Sequence, residues 1–227
     1  MAGPHLSTRT ERPAMTPSEQ SRRTREICAL APVVPVLVVH EAAQAAALAQ
    51  ALVAGGLPVL EVTLRTPGAL DAIRAMARVP GGVVGAGTLL SAQDVVAAKA
   101  AGAQFGVSPG ATPALLDACQ AAGLPLLPGA ATASEVMALL ARGYDMVKFF
   151  PAEPAGGVPM LKALSGPLPQ MNFCPTGGIS LKTAPAWLAL PNVVCVGGSW
   201  VAPDAMVAAG DWGGIENLAR EAAALAR

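Results

Sequence analysis

Lys148 is the residue in this chain whose type and setting most invite chemistry. It sits in Asp145-Met146-Val147-Lys148-Phe149-Phe150-Pro151-Ala152-Glu153, an apolar run with adjacent aromatics and a proline stop, the composition of a buried strand. An ammonium in an apolar interior is costly and tends to shed its proton. A neutral amine is a nucleophile suited to forming a Schiff base with a carbonyl compound. The other lysines, Lys99, Lys162 and Lys182, fall in segments that read as exposed helix. For this stretch alone, a lysine at a strand end that snorkels to water is the plain alternative.

A second polar set lies upstream. With period two, Val59, Glu61, Thr63 and Arg65 share one side of a strand, while Leu60, Val62 and Leu64 share the other. A carboxylate on such a face can act as general acid/base, and an arginine can grip a substrate carboxylate through paired hydrogen bonds. An internal Glu–Arg salt bridge that fills the interior accounts for the same pattern. Further on, Gly85-Ala86-Gly87-Thr88 ends a strand with room for a ligand and a hydroxyl. Ser108-Pro109-Gly110 and Pro128-Gly129 are ordinary turn chemistry by themselves. Pro175-Thr176-Gly177-Gly178 and Gly197-Gly198-Ser199 end the last two strands, where barrels commonly hold phosphate on backbone N–H groups. Tight turns would also use those glycines.

The elements that must carry these residues recur as a strand–helix unit. Apolar β-rich runs at 33–39, 59–64, 83–86, 104–107, 124–127, 146–150, 172–174 and 193–196 predict strands. They alternate with predicted helices at 41–54, 67–78, 91–101, 112–122, 132–142, 157–164, 180–189 and 215–226. Eight alternating pairs predict an α/β chain folded as a (β/α)8 TIM barrel. An open doubly wound sheet fits less well, because no dinucleotide fingerprint follows the first strand and the polar oddities all fall at strand C-termini. Residues 1–17 are expected to be a flexible N-terminal extension and 18–227 a single barrel domain, opened by a short amphipathic helix over 18–30.

Composition narrows the function. Apolar residues at 53% against 13% charged supply a core and argue against disorder. Lys+Arg and Asp+Glu balance at 15 each, which gives no support for nucleic acid or an anionic membrane as partner. Cys28, Cys119, Cys174 and Cys195 are widely spaced, so neither a zinc site nor a disulfide framework is expected and the cysteines read as core. His5 and His40 are the only histidines, too few for the usual triads. Residues 1–26 lack the apolar segment of a secretory signal, and Met15 offers a second possible start. The uncharged run 42–60 contains glutamines, glycines and a proline, so a membrane span is rejected. An amine, a carboxylate, a carboxylate clamp and a phosphate cradle at one barrel mouth, with no metal or cofactor, suit a Schiff-base aldolase acting on a phosphorylated 2-keto acid.

The segments PVVPVLVV, ALVAGGLPVLEVTLRT, VGAGTLL, GAQFGVSPG, VKFFPAE, FCPTGGIS and CVGGSW, in this order, resemble the 2-keto-3-deoxy-6-phosphogluconate (KDPG) aldolase family, shared with 4-hydroxy-2-oxoglutarate (KHG) aldolase. The resemblance runs from about Val33 to Trp200 and leaves residues 1–25 outside. It implies Lys148 as the Schiff-base lysine, Glu61 as general acid/base, and Arg65 with Thr88 on the pyruvate carboxylate. Pro109 would line the pocket, Thr176 would bear on stereochemistry, and Gly177, Gly178, Gly198 and Ser199 would take the phosphate. It also implies cleavage to pyruvate and glyceraldehyde 3-phosphate without cofactor or metal, a homotrimer, a cytoplasmic location and service in the Entner–Doudoroff route. His40, where the family pattern has a lysine, and the small turn Gly129-Ala130-Ala131-Thr132 depart from it. Alternatives are the 6-phosphogalactonate epimer, unphosphorylated 4-hydroxy-2-oxoglutarate, a phosphate-binding isomerase or epimerase, and a catalytically silent sugar-acid-binding barrel.

Overall fold

The computed structural model describes residues 15–226. Most of the expected 1–17 extension lies outside them. Its last residues start the first helix: Thr16 caps α1 (Pro17–Cys28) in a capping box with Glu19, and Pro17 takes the first helical position, where a missing N–H costs nothing. The helix buries a polar face. Gln20 accepts from the Leu126 amide at 3.1 Å and the Tyr144 hydroxyl at 3.2 Å, and Arg25 donates to both Asp145 oxygens at 2.8 and 2.9 Å. These partners stand at strand beginnings, so α1 plugs the end of the sheet opposite the strand C-termini.

The strands are β1 (Val33–Leu37), β2 (Val59–Thr63), β3 (Val83–Gly87), β4 (Phe105–Val107), β5 (Leu126–Leu127), β6 (Gly129–Ala130), β7 (Met146–Phe149), β8 (Asn172–Pro175) and β9 (Val196–Gly198). All pairings are parallel, in a six-stranded sheet ordered β5-β4-β3-β2-β1-β9 and a three-stranded sheet β6-β7-β8. Between them lie α2 (Ala45–Ala54), α3 (Ala69–Met76), α4 (Ala92–Ala100), α5 (Pro113–Ala122), α6 (Ala133–Ala141), α7 (Gly157–Ser165), α8 (Ala184–Leu188), α9 (Asp204–Ala209) and α10 (Trp212–Ala223).

The chain passes from one sheet to the other at Pro128. Leu126 and Leu127 pair with β4, Gly129 and Ala130 pair with β7, and the proline between them has no N–H for a ladder. The predicted strand 124–127 therefore continues to Ala130, with a break. At the other margin, isolated parallel bridges join Phe173 to Val193 and Thr176 to Gly197. The last strand also falls later than the predicted 193–196. Gly197 and Gly198 stay in the ladder opposite Val34 and Pro35. They are glycines because side chains occupy the place of their β-carbons: Thr176 at Gly197 and the Trp200 ring at Gly198. Helix α9 is an element the sequence pattern did not announce.

Two layers of core follow from strand alternation. Val34, Val59, Phe105, Val107, Leu127, Met146, Cys174 and Cys195 point inward and meet Cys28 of α1 in one cluster. Their alternates, such as Leu60, Val62, Val147 and Phe149, pack outward against the helices. All four cysteines are buried and unpaired. Burial pushes the Cys119 thiol up to about 12. No helix of the described residues is long and apolar enough to cross a membrane.

Candidate active site

Lys148 is the inward residue of β7 above Met146, and its amine is enclosed. Its side chain is 7% exposed and that of Glu61, from the middle of β2, is 4% exposed, with Nζ donating to Oε1 at 3.0 Å. Two buried charges are retained only when paired this closely, and the pair joins elements 87 residues apart. The Phe150 ring lies over the amine with its centroid 5.3 Å away, a cation–π distance. Lys99 and Lys162 lie on helices, whereas Lys182 lies in a turn ahead of α8.

Glycines make room for this pair. A β-carbon at Gly87 would collide with the Glu61 carboxylate, so β3 lets that carboxylate lie across its backbone. The next residue, Thr88, has φ +61°, a conformation rarely adopted by a β-branched residue and a mark of local strain at functional positions. Gly129, the register partner of Lys148, carries the Pro109 backbone against its α-carbon. Thr63, on the polar face of β2, donates to the Leu37 carbonyl at 3.0 Å and so braces β1. Arg65 stands two residues beyond the strand and is exposed.

Next to the pair opens a cavity of about 660 Å³. Its wall brings together Arg65, Phe150, Thr176 and the four residues expected to take phosphate, Gly177, Gly178, Gly198 and Ser199. Lys148 and Glu61 do not line it, and Phe150, whose ring centroid is 5.3 Å from the Lys148 amine, connects the pair with the cavity. Thr88 and Pro109 are also off it and adjoin the pair through Gly87 and Gly129. Gly177 and Gly178 have φ +108° and +82°, just beyond the parallel bridge that ties Thr176 to Gly197. The carbonyls of Thr176 and Gly177 are held by the amides of Ala152 and Glu153 at 2.8 and 3.1 Å. Successive amides in a left-handed turn can form an anion-binding concavity. Sequence reasoning had not singled out Phe150 or Gly129 as site-forming. The signal was available as small residues set beside large ones on neighbouring strands. Among the described residues, no cluster of His, Cys, Asp or Glu has the arrangement of a metal site.

The arrangement offers a buried amine beside a carboxylate, next to a cavity lined by a guanidinium and a glycine turn. Comparison with known proteins agrees with that chemistry. The aldolase family described as KDPG and KHG aldolase matches residues 24–218. The KHG/KDPG aldolase of Escherichia coli is 53% identical over 192 residues, covering 84% of this chain and 90% of that one. A crystal structure of the Zymomonas mobilis KDPG aldolase with 3-phosphoglycerate superposes with a TM-score of 0.87 at 51% identity, covering 91% of this chain and 98% of the other. The Legionella pneumophila KDPG aldolase, with pyruvate captured as a covalent carbinolamine, superposes at 0.86 with 47% identity over 88% and 98% of the two chains. The chain belongs to the KDPG and KHG aldolase family.

Proposed function

We propose that this protein is a class I, metal-independent aldolase that cleaves 2-keto-3-deoxy-6-phosphogluconate to pyruvate and glyceraldehyde 3-phosphate. The observation that carries this reading is the enclosed Lys148–Glu61 contact at 3.0 Å next to a cavity lined by a glycine turn. The carbinolamine in the Legionella relative supports the covalent chemistry. The E. coli relative, named for both substrates, supports 4-hydroxy-2-oxoglutarate as a second substrate, cleaved to pyruvate and glyoxylate.

The steps follow from the residues. Lys148 passes a proton to Glu61 and its free amine attacks the C2 ketone to give a carbinolamine. Glu61 returns that proton to the C2 hydroxyl, and loss of that hydroxyl as water leaves a protonated imine, an electron sink next to C3, and Glu61 again a carboxylate. Glu61, acting through a water, takes the proton of the C4 hydroxyl, and the C3–C4 bond breaks. Its electrons flow into the imine to make an enamine, while C4 departs as the aldehyde of glyceraldehyde 3-phosphate. Protonation of the enamine at C3 by the same carboxyl and hydrolysis of the imine release pyruvate and restore the amine.

The remaining residues hold the substrate. Arg65 and Thr88 take the pyruvate carboxylate, Pro109 lines the pocket, and Thr176 stands beside the reacting carbons and bears on stereochemistry. Gly177, Gly178, Gly198 and Ser199 take the phosphate. The two sheets act as arcs of one (β/α)8 barrel over 18–227, joined through Pro128 and at the β8–β9 margin, and the TM-score of 0.87 supports that closure. The enzyme works as a cytoplasmic homotrimer. Four unpaired cysteines suit a reducing compartment, and exposed Leu90 and Val96 beside α4 give an apolar face for subunit contact. A coupled assay for pyruvate tests the activity. Release of pyruvate from the phosphorylated substrate without added metal is expected, and its absence from folded protein would refute the assignment.

A further inference from the structure

His40 stands where the phosphorylated end of a substrate would lie. The strand order β2-β1-β9 sets the loop after β1 between Arg65, which follows β2, and Gly198-Ser199 at the end of β9. One contact ties that loop to the segment after β2: Thr66 Oγ1 donates to the Val39 carbonyl at 2.6 Å.

Charge on the cavity wall is sparse. Of the lining residues, only His40, Arg65 and Asp204 carry side chains able to bear a charge. A substrate with an anion at each end needs more than one positive partner. If Arg65 takes the carboxylate, the glycine turns and the Ser199 hydroxyl offer the phosphate only uncharged donors, and Asp204 at the start of α9 works against it. His40 also lines an adjoining cavity of about 180 Å³, which it shares with Glu41 and Gln44 of its own segment and with Asp204. The charged groups that line these two cavities with it are thus Glu41, Asp204 and Arg65.

We propose that His40 is a specificity-determining residue that binds the substrate phosphate as an imidazolium, with Asp204 opposing it, so that preference for phosphorylated 2-keto acids depends on the charge at position 40. This rests on the aldolase reading above. Histidine changes charge between about pH 5 and 8, so affinity for a phosphorylated substrate falls as pH rises through that range. Affinity for pyruvate, which has no phosphate, does not follow it.

The test compares the KM for 2-keto-3-deoxy-6-phosphogluconate with the pyruvate concentration that half-saturates borohydride trapping. Both are measured in wild type, His40→Ala, His40→Lys and Asp204→Asn across about pH 6–9. In His40→Ala the KM should rise about tenfold at low pH with kcat within about twofold, the loss of one charge-assisted hydrogen bond in a solvent-open site. Pyruvate half-saturation should move far less. His40→Lys should flatten the pH dependence, and Asp204→Asn should lower the KM. Equal shifts for both ligands in His40→Ala, or an unchanged pH dependence in His40→Lys, would overturn the proposal while leaving the aldolase reading intact. A wild type that releases no pyruvate from the phosphorylated substrate would overturn both.

Discussion

The Glu61 carboxylate lies on the bare α-carbon of Gly87, and from that seat its Oε1 reaches the Lys148 amine at 3.0 Å. Gly87→Ala puts a methyl group where the carboxylate now sits. The backbone of β3 is ordinary there, so the penalty is steric, about 1–3 kcal/mol of stability for a forced shift in a packed interior. Displacing a catalytic carboxylate by about 1 Å costs on the order of a hundredfold in rate. Steady-state kinetics with a folding check by circular dichroism measures both effects.

The buried pair makes a prediction about stability that is separate from catalysis. Removing one partner leaves the other charge enclosed without compensation. Lys148→Met is therefore expected to lose about 3–5 kcal/mol, while Lys148→Met combined with Glu61→Gln should recover much of that loss. Both variants should be inactive. Urea denaturation of the two proteins decides it, and a double variant no more stable than the single one would contradict the pairing.

Thr88 is held at φ +61° at the end of β3. A β-branched residue pays roughly 1–2 kcal/mol for that conformation, which glycine does not. Thr88→Gly should hold or raise thermal stability by up to about 1 kcal/mol, yet, on the proposed role of its hydroxyl at the substrate carboxylate, raise the KM by about tenfold. Paired melting and kinetic measurements read the trade. A fall in stability with activity unchanged would mean that the strain serves packing alone.

Acid should loosen the turn beyond β6, the strand beside Lys148. The Ala131 amide, then the Thr132 hydroxyl and amide, donate to the Glu135 carboxylate and hold its pKa below the ordinary 4.5 against an opposing effect of burial. Because the folded value is lowered, this stabilisation is complete above pH 4.5 and is lost as pH falls through the folded value. For an exposed capping box it amounts to roughly half a kcal/mol. Glu135→Gln should melt earlier than wild type at neutral pH, and the gap should close well below pH 4.5.

Much of the site was legible in the sequence because it departs from local rules. A lysine inside MVKFF and the alternation of Glu61 and Thr63 with apolar neighbours violate the expectation for buried strands, and both strands were found there. What eluded the sequence depends on neighbours far along the chain. Gly197 and Gly198 read as a phosphate-holding step beyond the last strand, since nothing local reveals that they stay in the ladder with Thr176 and Trp200 filling their missing side-chain space. Pro128 read as a strand end because only the fold shows Gly129 resuming the ladder with Lys148. The short α9 has too few turns to leave a period. Thr63 looked available for chemistry, but its hydroxyl is committed to the Leu37 carbonyl.

The most direct test of the central claim is intact-mass spectrometry after incubation with pyruvate and sodium borohydride, followed by peptide mapping. The account predicts one reduced pyruvate adduct per chain, on Lys148, and none in Lys148→Ala. Folded protein that takes up no adduct with pyruvate in excess, or carries it on Lys99, Lys162 or Lys182 instead, would contradict the Schiff-base assignment.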